Sequence, residues 1–182
     1  MMKLIYLTGF MTCGKSTLGP ILANTLGWNF VDLDELIKEN EKMDISEIFA
    51  QKGEDYFRNI ETEILKSVSG KNGYIIALGG GTIVKEENFE IMRKTGKIIY
   101  LRASAEVIYN RIKTKLDRPI FKDLVLAGSP KNDFIERIES LLNERKKYYE
   151  QADLIVNTSS DPLGTIVDQL SKKIARLIYE KN

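Results

Sequence analysis

The chain contains no histidine. That excludes imidazole acid–base chemistry and every histidine-ligated metal centre. Its single cysteine, Cys13, can form no internal disulfide and no thiolate cluster. A reducing, cytoplasmic setting fits such usage, and Cys13 itself reads as a small loop side chain more than as a reactive thiol. Charge of one sign is also lacking: 27 Lys and Arg stand against 26 Asp and Glu, for a net charge of +1. Nothing in that balance predicts a basic face for nucleic acid, so each arginine is judged singly. Long apolar runs are missing too. Residues 4–7 are too few to span a membrane, and no signal-peptide cleavage region follows them, so no membrane partner is expected. There is no internal repeat, low-complexity tract or long linker.

What remains is an ordinary globular composition, 43% hydrophobic and 29% charged over 182 residues. It suits one domain spanning residues 1–182 with one sizeable core, and a monomer is the expected state. Short apolar runs rich in branched residues recur at 4–7, 30–31, 74–78, 97–101 and 154–156. Each lies between stretches of helical spacing, such as Leu18, Ile21, Leu22 and Leu26. That alternation predicts an α/β fold of three layers, with buried parallel strands between helices. Helix boundaries are marked as well. Asp44 and Glu47 make a capping-box pattern, Ser104 can cap the following helix, and Gly27 is a helix stop. Pro20 predicts a slight distortion past the first helical turn. Residues 113–134 mix Arg, Lys, Asp, Pro and Gly with few apolar side chains. They read either as a surface loop or, over about 113–130, as a mobile lid.

The stretch Gly9-Phe10-Met11-Thr12-Cys13-Gly14-Lys15-Ser16 joins the first apolar run to a helix. A strand that turns through glycines into a helix aims backbone N–H groups, and the positive end of the helix dipole, at one spot. Gly9 and Gly14 let the backbone curl close to phosphates. Lys15 would reach the β- and γ-phosphate oxygens, and the Ser16 hydroxyl would ligate Mg²⁺. Thr12, Cys13 and Thr17 belong to the same nucleotide-binding stretch. The next strand leads into Asp32-Leu33-Asp34. A strand ending in Asp-x-Asp puts both carboxylates on one side, at the edge where open α/β sheets bind ligands. One carboxylate can serve Mg²⁺ and the other can take a proton; capping of the next helix is the competing reading for either.

Three further pieces follow: Gly53-Glu54-x-x-Phe57-Arg58-x-x-Glu61 at a helix start, Leu78-Gly79-Gly80-Gly81-Thr82 after a buried strand, and Arg118-Pro119 in the presumed lid. This set, in this order, closely resembles the shikimate kinases over nearly the whole chain. The resemblance implies a P-loop kinase fold with a five-stranded parallel sheet of order 2-3-1-4-5. It implies transfer of a phosphoryl group from MgATP to the 3-hydroxyl of shikimate, within aromatic amino-acid biosynthesis. By position it implies that Asp34, Arg58, Gly79, Gly80, Gly81 and a late arginine hold the substrate. Arg145, four residues before Tyr149, is the best match for that arginine, with Arg137 as the alternative. Asp34 would accept the hydroxyl proton, and Lys15 and Arg118 would stabilise the transferring group. Ser16 and Asp32 would organise Mg²⁺, and Arg111 and the loop at Pro162 would flank the adenine. The family commonly has glycine where this chain has Thr12, and a small residue at Cys13.

Rival readings are thinner. Gluconate kinase shares the phosphate loop without positive support here, and a nucleoside monophosphate kinase usually has a more arginine-rich lid. Thr114-Lys115-Leu116-Asp117 superficially matches the guanine-reading element of a GTP switch, but it follows no strand. A degenerate, non-catalytic relative is disfavoured because every residue named for chemistry is present.

Overall fold

A first strand buried on both faces organises the molecule. In the computed structural model, which describes residues 4–115, 119–159 and 161–179, strand β1 (Leu4–Thr8) is buried throughout. Its successive side chains point to opposite faces. Leu4 and Tyr6 enter one apolar cluster with Leu33, Phe57 and Phe89; Ile5 and Leu7 enter another with Leu22, Ile108 and Leu170. A strand apolar on both faces needs a helical layer on each side, and the sequence supplies it.

The elements alternate as the pattern predicts. After β1 come α1 (Lys15–Leu26), β2 (Asn29–Asp32), α2 (Leu33–Glu41), α3 (Ile45–Val68), β3 (Tyr74–Ala77), α4 (Glu86–Thr95) and β4 (Lys97–Arg102). Then follow α5 (Ala105–Ile112), α6 (Pro119–Ala127), α7 (Lys131–Tyr149), β5 (Leu154–Asn157) and α8 (Leu163–Tyr179). The five strands form one sheet in the order β2-β3-β1-β4-β5, with every pair parallel. Register aligns the strand ends: Asp32 pairs with Ala77, Leu7 with Ala77, Thr8 with Tyr100, and Arg102 with Asn157. β1 lies between β3 and β4, with β2 and β3 on one side and β4 and β5 on the other, so the crevice at its carboxyl end is the topological switch point where such sheets bind ligands.

Local signals act as expected at most boundaries. The Asp44 N–H donates to the Glu47 carboxylate at 2.9 Å, and the Ser104 hydroxyl accepts from the Val107 N–H at 3.3 Å. Gly27 ends α1 in the left-handed region with φ 68°. α1 runs unbroken through Pro20. The segment expected to be a surface loop or a lid holds a helix, α6, anchored by Phe121 and Leu124. Phe121 is buried, edge-on to Phe10 at 6.3 Å and stacked on Phe134 at 6.2 Å. Few apolar residues suffice there because they share one helical face.

Candidate active site

The phosphate loop is built by the passage from β1 to α1. Gly9 adopts φ 144°, and a Cβ there would stand 2.5 Å from the Leu101 carbonyl oxygen, so only glycine lets the loop lie against β4. Gly14 caps α1 with φ 111°. Thr12 lies in the left-handed region with φ 61°, unusual for a β-branched residue. Its carbonyl oxygen accepts from Arg111 Nη1 at 2.6 Å. The Lys15 ammonium donates to the carbonyls of Gly9 at 2.8 Å and Phe10 at 3.1 Å, so it rests inside the curl of its own loop. The first amides of α1 have no intrahelical acceptor and face the same space, which favours an anion there.

Beside the loop, Ser16 Oγ donates to Asp32 Oδ2 at 2.9 Å, while Asp32 Oδ1 accepts the Asp34 N–H at 3.0 Å. The expected arrangement of both carboxylates on the strand end is corrected here. Asp32 ends β2, whereas Asp34 lies in the first turn of α2, for which Asp32 is the N-cap. Burial of Leu33 and Ile37 turns the chain into that helix immediately. Asp32 therefore combines the capping and ligand-facing readings. A hydroxyl and a carboxylate are hard oxygen donors. They fit Mg²⁺, which takes few protein ligands and completes its shell with water and phosphate oxygens. Among the described residues, no group of three or more His, Cys, Asp or Glu side chains stands together to hold a metal ion, so a cage of another kind is not what these donors make. When bound, Mg²⁺ supplies charge neutralisation on the phosphate oxygens.

A second cluster faces the loop from α3 and from the turn after β3. Gly53 breaks α3 at φ 84°, and the second half of the helix carries Phe57, Arg58 and Glu61. Arg58 donates to Glu61 at 3.0 Å and to Glu54 at 3.3 Å. Glu61 is only 1% exposed and also accepts from the Thr82 hydroxyl. The glycines of the turn press against these charged groups. A Cβ at Gly79 would lie 2.7 Å from Asp34 Oδ1, at Gly81 3.0 Å from Arg58 Nη2, and at Gly80 3.3 Å from Arg145 Nη1. Arg145 reaches in from α7 and donates to the Gly80 carbonyl at 2.9 Å, and the Tyr149 hydroxyl reaches the same oxygen at 3.3 Å. Burial pushes the Tyr149 hydroxyl well above its ordinary pKa, so it stays a neutral donor. Arg137 points elsewhere, donating to Asp123 at 2.7 Å and to the Ile120 carbonyl at 2.9 Å. The late arginine brought to the cavity is Arg145.

These groups line one cavity of about 1070 Å³. Lys15, Ser16, Thr17, Asp32, Asp34, Arg58, Arg145, Arg111 and Asp161 are all part of its wall. Gly9 and Pro162 are not part of the wall, although Asp161 and Leu163 on either side of Pro162 are. Arg118 lies outside the described residues. Several lining residues were not assigned from sequence, Ile45, Phe49 and Thr158 among them. Ile45 and Phe49 form an apolar wall with Phe57, whose ring centroid is 4.6 Å from that of Phe49. Thr158 lines the cavity from just past β5. Its place at the carboxyl edge of a strand was the available signal.

A parallel sheet of this order, with a phosphate loop at its switch point and a hydroxyl–carboxylate pair beside it, defines a P-loop phosphotransferase acting on a small molecule. The comparisons resolve the class further. The shikimate kinase family model matches residues 11–175. The shikimate kinase of Chloroherpeton thalassium is 42% identical over 97% of this chain and 94% of its own. Crystallised shikimate kinase from Bacteroides thetaiotaomicron superposes with a TM-score of 0.85 at 32% identity, covering 96% of this chain and 99% of that one. A shikimate kinase from Acinetobacter baumannii, solved in complex with shikimate, superposes with a TM-score of 0.81 at 30% identity over 98% of this chain and 93% of its own. The chain belongs to the shikimate kinase family.

Proposed function

We propose that this protein transfers the γ-phosphoryl group of MgATP to the 3-hydroxyl of shikimate, giving shikimate 3-phosphate and ADP, in aromatic amino-acid biosynthesis. The observation that carries this reading is the convergence of Arg58, Arg145 and Asp34 on the Gly79–Gly81 turn, across one cavity from the phosphate loop. Two guanidinium groups are suited to a carboxylate, which arginine grips with paired hydrogen bonds. The Asp34 carboxylate is suited to a hydroxyl. An anionic polyol satisfies both, and the A. baumannii relative was solved with such a ligand.

In this reading Arg58 and Arg145 hold the carboxylate, and the glycine turn lets the ring approach closely. Asp34 accepts the proton of the attacking hydroxyl. Lys15 exchanges the Gly9 and Phe10 carbonyls for phosphate oxygens, and Arg118 adds positive charge from the lid. Ser16 and Asp32 would hold Mg²⁺, while Arg111 and the loop at Pro162 flank the adenine. Little covalent chemistry falls to the protein, because phosphoryl transfer is governed by positioning and charge stabilisation. Closure of the 113–130 segment would keep water from the donor.

We read the chain as one domain, a cytoplasmic monomer whose partners are small molecules, with no nucleic-acid or membrane partner. Among the described residues no helix is long and apolar enough to cross a membrane. Nuclear magnetic resonance of the product tests the reaction. Phosphorus coupling to the proton on C3 is expected; coupling at another ring position would contradict the assignment of Asp34 to the 3-hydroxyl.

A further inference from the structure

Thr158 is a residue that the phosphate-loop pattern does not call for. It follows β5, is 6% exposed, and lines the cavity. Its backbone N–H donates to the Arg102 carbonyl at 2.8 Å, which extends the β4–β5 ladder by one bond. Its hydroxyl lies 3.0 Å from the Cys13 carbonyl oxygen and 3.2 Å from that of Arg102. One hydroxyl carries one proton. The Arg102 oxygen already receives an N–H, so the proton goes to Cys13.

The consequence concerns the peptide between Cys13 and Gly14. In a trans peptide the C=O and the N–H point in opposite directions. Thr158 fixes the direction of the Cys13 oxygen, and this sets the Gly14 N–H on the opposite side of the peptide, at a residue that lines the cavity. Gly14 is the N-cap of α1, and its freedom at φ 111° is what would otherwise let this peptide turn over. The preceding peptide is secured separately: the Thr12 carbonyl accepts from Arg111, and the Cys13 N–H donates to the Phe10 carbonyl at 3.2 Å. Thr158 is therefore the side chain that sets the orientation of the one amide-bearing unit left between that secured turn and α1.

We propose that Thr158 is a positioning residue for the nucleotide: it locks the Cys13–Gly14 peptide with the Gly14 N–H directed at a phosphate of ATP. The inference deepens the phosphotransferase reading and rests on its nucleotide site, but not on the identity of the acceptor.

Thr158→Val keeps the β-branched shape and removes the hydroxyl, whereas Thr158→Ser keeps the hydroxyl. Calorimetric titration with MgATP and with MgADP, in the absence of any acceptor, reads the nucleotide site alone. Thr158→Val is expected to weaken both nucleotides about 5- to 20-fold, the effect of one lost phosphate hydrogen bond. Thr158→Ser is expected to stay within about twofold of the unaltered protein. In turnover, Thr158→Val should raise KM for ATP while leaving KM for the acceptor unchanged. Unaltered nucleotide affinity in Thr158→Val would overturn the proposal. So would equal losses in the Val and Ser variants, which would mark a packing role. Failure of shikimate as the acceptor would leave the titration intact, so the two readings fail separately.

Discussion

Arg58 Nη1 donates to Glu61 Oε2 at 3.0 Å, and the two ends of this ion pair stand in different surroundings: the Glu61 side chain is 1% exposed and that of Arg58 is 31%. The buried carboxylate fixes one side of a guanidinium whose Nε and Nη2 reach the exposed Glu54 at 3.3 Å, and Arg58 itself lines the cavity. Glu61→Ala should lower stability by about 2–3 kcal/mol, below the roughly 3–5 kcal/mol for breaking a fully buried pair, because Arg58 keeps partial access to water. Thermal unfolding measures that loss. A shikimate titration at a temperature where the variant is folded should show weakened binding, with ATP binding retained.

Asp34 and Asp32 separate by role. Asp34→Asn should leave the fold intact and cut kcat by roughly 10²–10⁴, the usual range for losing a general base. Steady-state kinetics with saturating ATP and shikimate reads it, and near-normal turnover would remove Asp34 from the chemistry.

Asp32→Asn retains an oxygen able to cap α2 but removes the charge beside Ser16. Its unfolding temperature should hardly move, while the Mg²⁺ concentration needed for half-maximal rate rises several-fold. Asp32→Ala should show the same metal dependence and also lose about 1 kcal/mol of stability with the cap. Magnesium titrations of activity alongside thermal melts distinguish the two contributions.

The two candidate late arginines diverge in the same way. Arg145→Ala should raise KM for shikimate at least tenfold with little change for ATP, because Arg145 stands over the Gly80 carbonyl in the cavity. Arg137→Ala should leave both constants near their starting values, since Arg137 is committed to Asp123. Equal effects of the two substitutions would contradict the placement.

Stability should have its main tyrosine-linked pH dependence at the alkaline end. Burial pushes Tyr6 up to about 12 against the opposing hydrogen bond from Thr95, and it raises Tyr100 and Tyr149 as well. A group whose folded pKa lies above its unfolded value of about 10 contributes stability that is complete below pH ~10. For Tyr6 that contribution is lost as the pH rises towards 12. Urea midpoints should therefore fall between pH 10 and pH 12, less steeply in Tyr6→Phe. An identical slope in that variant would remove Tyr6 as a cause.

Much of this was legible before the fold. The phosphate loop, the alternating strands and the Gly53–Glu61 and Gly79–Gly81 stretches depend on local chemistry, so the sequence displays them directly. The position of Asp34 was less legible, because whether Asp-x-Asp ends a strand or starts a helix depends on the tertiary burial of Leu33 and Ile37. The helix α6 was obscured in the same way, since its buried face, Phe121 and Leu124, is matched only by partners on other elements. Arg145 was preferred to Arg137 on resemblance alone; the physical reason is the direction in which α7 presents each side chain, Arg145 to the Gly80 carbonyl and Arg137 to Asp123. For Thr158 the sequence offered only its place after a strand, because its partner, the Cys13 carbonyl, is 145 positions away in the chain and carries no side-chain signature.

The most direct test is ADP release from MgATP by the purified protein with shikimate, gluconate or a nucleoside monophosphate offered separately. The arrangement of Arg58, Arg145 and Asp34 predicts turnover with shikimate and only background release with the other two. Tight ATP binding with no turnover on shikimate, or comparable turnover on gluconate, would contradict it.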